Sequence, residues 1–101
     1  MTGKIKCKMH LGTRSDVCNW INDPKNNVGK VTSILEGPDQ WYIFYYESDG
    51  NHTKRKIRCW TYHDTYMYVC DQINNPNNDI KDVVIVTGRS GWHVFYYEEN
   101  Q

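Results

Sequence analysis

Four aromatic rings, Trp60, Tyr62, Tyr66 and Tyr68, fall within nine residues, directly after the basic residues Lys54, Arg55, Lys56 and Arg58. Aromatic rings stack on nucleobases, and guanidinium and ammonium groups hold phosphates. The pairing therefore fits a small nucleotide-like ligand. The same rings also fit a protein partner, because large exposed aromatic patches mark docking surfaces. A second aromatic group, Trp41, Tyr45, Trp92 and Tyr96, lies in two runs that read WYIFYYE and WHVFYYE. Four Trp and eight Tyr in 101 residues exceed the needs of a small core. Cross-strand packing with hydroxyls at the rim is the competing reading of these rings.

Catalytic chemistry finds little support. The histidines His10, His52, His63 and His93 show no H-x-x-x-H spacing and no Cys/His set, so no zinc site and no cofactor are expected. They read as surface residues. There is no phosphate-cradling glycine loop and no G-x-S-x-G. No nucleophile stands near a base in sequence, so an enzyme is not expected. The cysteines come as Cys7 with Cys18 and Cys59 with Cys70, each pair eleven residues apart. No C-x-x-C occurs, and small apolar packing residues where helix meets strand are the expected role, with a bridge open under oxidation.

The elements that position these residues come in duplicate. With a shift of 52 residues, Lys4, Ile5, Cys7, Thr13, Val17, Cys18, Ile21, Asn22, Pro24, Asn26 and Val31 fall on identical residues. One residue is then lost, and Trp41, Phe44, Tyr45, Tyr46 and Glu47 fall on Trp92, Phe95, Tyr96, Tyr97 and Glu98. Sixteen identities across the 44 residues from Lys4 to Glu47 far exceed the about two or three of unrelated sequence. No histidine is kept in both copies, and Glu47 and Glu98 are the one repeated carboxylate pair.

Each copy reads as β-α-β-β. Lys4 to Met9 alternates charge and apolar residue, which predicts a strand with Ile5, Cys7 and Met9 inward. A helix is expected over Arg14 to Asn22 with Thr13 or Ser15 as its cap and Val17, Cys18 and Ile21 as its apolar face. Pro24 and Pro76 stop the two helices. Second strands are expected at Val28 to Leu35 and Ile80 to Val86, and third strands at Trp41 to Glu47 and Trp92 to Glu98. A turn at Asp49, Gly50 and Asn51 joins the copies. The fold class is α+β: two tandem β-α-β-β repeats, 4–49 and 54–99, sharing one compact domain. They are expected to form one six-stranded, mostly antiparallel sheet with two short helices on one face and a pseudo-two-fold axis.

The run from VCNWIN through VGKVTSI to WYIFYYE resembles short β-α-β-β proteins such as dodecins. It is also similar to small sporulation-associated proteins of low-GC bacteria that end in a tyrosine-rich strand. The resemblance implies topology. Dodecins bind flavin between aromatic residues, but no flavin-contacting position carries over to this chain. Pro24 and Pro76 depart from the pattern by stopping the helix where those families continue it.

Charge and composition bound the partners. Acidic and basic residues balance at twelve each, so strong non-specific attraction to nucleic acid or an anionic membrane is not encoded. No apolar run approaches the ~20 residues of a membrane span, and no signal-peptide core is evident, so a soluble, cytoplasmic protein is expected. Alanine is absent and leucine occurs only at positions 11 and 35, while Asn, Lys, Ile and Tyr abound. That is the usage of an AT-rich genome, a low-GC bacterium or its phages. The expectation is a non-catalytic binding or sequestering module, of the kind found among phage accessory and counter-defence proteins, taking a nucleotide-like ligand or a host protein. Two alternatives stand beside it. One is single-stranded nucleic-acid binding through an aromatic sheet face. The other is a structural or inhibitor module acting as a homodimer.

Overall fold

The computed structural model describes residues 4–48, 56–80, 82–89 and 91–98. The expected turn at 49–51, together with Lys54 and Arg55, lies outside them. The first unit contains β1 (Ile5–Leu11), α1 (Arg14–Asn22), β2 (Val28–Glu36) and β3 (Trp41–Glu47). The second contains β4 (Ile57–Tyr62), α2 (Tyr66–Asn74), β5 (Val83–Gly88) and β6 (Trp92–Tyr97). The chain is α+β with two tandem β-α-β-β units, as its repeat predicts.

The repeated polar residues fix the helix ends. In α1 a capping box forms: the Asp16 amide donates to Thr13 Oγ1 at 3.1 Å, and the Thr13 amide donates to Asp16 Oδ2 at 3.2 Å. In α2 Tyr68 replaces that Asp, and only the Thr65 half survives, at 3.2 Å. Both helices stop before a proline that opens a single 3-10 turn, Pro24–Asn26 or Pro76–Asn78. Asn26 and Asn78 close these ends by donating to the Trp20 and Gln72 carbonyls at 2.7 and 2.9 Å. Asn27 and Asp79 then take left-handed backbone, which such residues tolerate best after glycine.

The six strands divide between two antiparallel sheets, β1-β3-β2 and β4-β6-β5, instead of joining edge to edge. Sheet two lies over the helix side of sheet one, with β5 against β2 and β4 against α1. One core results. Val17 and Ile21 of α1 and Ile34, Trp41, Ile43 and Tyr45 of sheet one pack with Ile57 and Phe95 of sheet two. The Trp41 ring meets His93 and Phe95 edge-on at 5.0 and 5.9 Å. Joining the sheets at their edges would leave the Phe95 face of sheet two in water; stacking buries it, and apolar burial dominates such choices. On its other face, sheet two packs Val94 and Tyr96 against Val69 of α2 and Ile80.

The two-fold expectation is replaced by a head-to-tail arrangement. The helix side of unit one meets the bare sheet face of unit two. The helix side of unit two and the bare sheet face of unit one remain at the surface. Repeat partners therefore differ: Ile57 is 1% exposed and Ile5 53%, and Trp41 is 5% exposed and Trp92 38%. In β1 the expected facing is reversed, with Ile5, Cys7 and Met9 exposed. Their face is the one opposite α1, and none of the described residues of unit two buries it.

Candidate binding surface

The aromatic residues of unit two cluster because ladder pairing and helix placement bring them together. Trp60 and Tyr62 of β4 stand beside Val94 and Trp92 of β6. The first turn of α2 adds Tyr66, Met67 and Tyr68. Tyr62 and Tyr68 meet edge-on with centroids 5.8 Å apart. Burial pushes the Tyr62 phenol up, and the neighbouring Tyr68 adds to this. Burial also raises the Tyr96 phenol, opposed in part by a hydrogen bond with Trp60, so Trp60 is tied to the same cluster. Trp60, Tyr66, Met67, Tyr68 and Trp92 are all exposed, with Tyr66 at 66% and Met67 at 62%. At the matching place in unit one, Lys8 sits over the Trp20 ring at 5.6 Å, and Arg14, Ser15 and Asp16 begin the helix.

The other residues singled out from sequence divide differently. Trp41, Tyr45 and Tyr96 are buried and serve the cores. Tyr62 is half-buried beneath Tyr68. Arg58 is exposed and pairs with Glu98 at 3.2 Å, as Lys6 pairs with Glu47 at 3.2 Å in unit one.

A cleft of about 500 Å³ opens where α1 meets β4, lined in part by Arg14, Cys18, Asn22, Lys56, Arg58 and Cys59. Its end is fastened by one side chain. Asn22 Oδ1 accepts from the Ile57 amide at 2.8 Å, and Asn22 Nδ2 donates to the Ile57 carbonyl at 3.1 Å. The two cysteines that approach each other are thus Cys18 and Cys59, from different units. Burial pushes the Cys18 thiol up to about 12, with the nearby Cys59 adding to it and Arg58 and Arg14 opposing. Burial pushes Cys59 up to about 11, against a hydrogen bond from Thr61. Cys7 and Cys70 are exposed, and all four cysteines are free.

Neither Asn22 nor His93 stood out as functional from sequence. Asn22 carried one signal, its identity with Asn74. His93, expected at the surface, is 2% exposed. It lies 2.9 Å from Glu36 Oε1 through Nε2 and 2.8 Å from the Thr61 hydroxyl through Nδ1, linking the two units. Among the described residues no group of three His, Cys, Asp or Glu is placed to hold a metal ion.

No match was found. Comparisons with protein-family profiles, with curated proteins and with solved structures all returned nothing similar to this chain. Function must therefore be read from the surfaces themselves. No helix among the described residues is long and apolar enough to cross a membrane.

Proposed function

We propose that this chain is a non-catalytic binding module that engages a protein partner through the aromatic surface of unit two. One observation carries the reading: Trp60, Tyr66, Met67 and Tyr68 are exposed aromatic or apolar residues where unit one carries Lys8, Arg14, Ser15 and Asp16, and Trp92 on the neighbouring strand is exposed as well. Apolar side chains concentrated on one side of a small domain are characteristic of docking surfaces, and Trp and Tyr lead among residues that dominate binding energy. The amino-acid usage, without alanine and rich in Asn, Lys, Ile and Tyr, fits an AT-rich genome such as that of a phage or low-GC bacterium, and capture of a host protein is the role we propose in that setting. The test is affinity capture from host extract by the wild-type chain and by a Trp60→Ser, Tyr66→Ser, Met67→Ser variant with an unchanged melting temperature. Proteins retained by the wild type and lost by the variant are expected. Identical captures from both would sink the reading.

A second reading places a small phosphate-bearing ligand, nucleotide-like, in the α1–β4 cleft. It is favoured by Arg14, Lys56 and Arg58 on the cleft wall. A thermal-shift series with nucleotides and cyclic dinucleotides checks it, and no shift with any of them rules it out. For a single-strand binder, unit one covers the bare face of sheet two, and the bare face of sheet one, with Tyr42, Phe44 and Tyr46, is the sheet face left at the surface.

A further inference from the structure

β2 and β5, which are repeat equivalents, meet each other within the chain, but where α1 meets β4 the contact joins unlike elements, so each half of that part exists a second time, uncovered among the described residues. On the helix side, Cys18, Asn22 and Trp41 are inside the contact, and their identical counterparts Cys70, Asn74 and Trp92 are exposed. On the sheet side, Ile57 and Cys59 are inside it, and their counterparts Ile5 and Cys7 are exposed. We propose that a second copy of this chain occupies these surfaces, docking head to tail so that α2 of one chain meets β1 of the next as α1 meets β4 within a chain. This deepens the reading of the aromatic surface as a docking site and rests on it.

Backbone geometry, charge and apolar surface support this occupant over others. Ile5 and Ile57 hold the same register, opposite Tyr46 and Tyr97, each on the edge strand of its sheet. The Lys4 and Lys56 carbonyls accept from the Glu47 and Glu98 amides alike. The Ile5 amide and carbonyl therefore point outward as those of Ile57 do, ready for the two-point contact that Asn22 makes inside the chain and Asn74 offers outside it. Helix α2 carries no basic residue, with Tyr66 where α1 has Arg14, and it gains Asp71 where α1 has Asn19. Its opposite, β1, has Lys4 and Lys6 on either side of Ile5, the positions of the cleft-wall residues Lys56 and Arg58, with Lys6 also paired to Glu47. Charges that would be indifferent in a solvent-exposed helix are complementary across this contact. The substitutions of Arg14 and Ser15 by Tyr66 and Met67 add apolar surface where a contact between separate chains must supply its own affinity. Ile5, Met9 and Leu35 supply it on the other side. A heterologous contact of this kind repeats, closing into a ring or extending as a filament according to its rotation.

The test uses sedimentation velocity of the full chain from micromolar to millimolar concentration, with two variants at exposed positions: Ile5→Asp, which blocks the sheet side, and Tyr66→Asp, which blocks the helix side. The wild type is expected to gain mass with concentration. Each variant alone is expected to associate at least tenfold more weakly. An equimolar mixture of the two variants retains one intact surface of each kind and is expected to give a dimer and nothing larger. A short bis-maleimide should join Cys7 of one chain to Cys70 of another in the wild type. A wild type that stays monomeric throughout, variants that associate like the wild type, or a mixture that gives no dimer would each overturn the proposal. A monomeric chain that still captures a host protein through Trp60 and Tyr66 sinks the head-to-tail contact alone. A chain that self-associates as described but captures nothing else leaves this inference standing without the host-protein reading.

Discussion

Repeat-equivalent residues are chemically identical and energetically different, which makes each pair its own control. Asn22 satisfies both backbone groups of Ile57, whereas Asn74 is exposed. Removing two such hydrogen bonds costs about 2 kcal/mol, so Asn22→Ala is expected to lower the unfolding free energy by about that amount. Asn74→Ala should stay within about 0.5 kcal/mol, both read from urea transitions at low concentration. The thiols divide the same way. Cys18 and Cys59 ionise at about 12 and about 11, against an ordinary value of 9.0. Only thiolates are alkylated readily, so iodoacetamide at pH 8 should modify Cys7 and Cys70 first, giving two fast adducts and two slow ones by mass spectrometry. The raised values also couple folding to pH. As pH rises past 9.0 the unfolded chain gives up these protons before the folded one, so stability held below that pH should fall between 9 and 12. A denaturation midpoint that is flat across this window would contradict the burial of both thiols.

At the scale of elements, most boundaries were legible in the sequence. Helix α1 runs over the expected Arg14–Asn22, and β3 over the expected Trp41–Glu47. The signals were local ones: a Thr cap, an Asp-Pro stop and an aromatic run. The inward face of β1 was not legible. Ile5, Cys7 and Met9 alternate as correctly as Ile57 and Cys59, and alternation states which residues share a face without saying what covers it. The candidate site was half legible for the same reason. Trp60, Tyr66 and Tyr68 stood out by differing from their counterparts and are exposed; Trp41, Tyr45 and Tyr96 recurred and are buried. Divergence between copies located Trp60, Tyr66 and Tyr68, but recurrence did not separate core from surface: Trp92 repeats Trp41 and is exposed. Phe95 and Phe44 make the point measurable. Phe95 is fully buried between the units, and Phe95→Ala should cost about 3–5 kcal/mol. Phe44, half-buried on the bare face of sheet one, should cost about 1–2 kcal/mol on truncation.

For the whole molecule, a core cluster drawn from both units leads us to expect that they unfold as one cooperative body. A unit of about fifty residues alone is marginal, and here the helix side of unit one depends on Ile57 and Phe95 from unit two. Calorimetry at low concentration should show a single transition with equal calorimetric and van't Hoff enthalpies. Two resolved transitions would mean that the units fold independently. A peptide of residues 4–48 is expected to show no cooperative unfolding by circular dichroism.

The order of synthesis gives this dependence a direction in time. Unit one emerges from the ribosome with Trp41, Ile43 and the inner face of α1 unprotected, and their cover, which includes Ile57 and Phe95, is translated after them. At ~5–20 residues per second the nascent chain carries that bare surface for several seconds. A neighbouring nascent chain on the same message offers the same surfaces in the same interval, so assembly between chains and completion within one compete from the moment of birth.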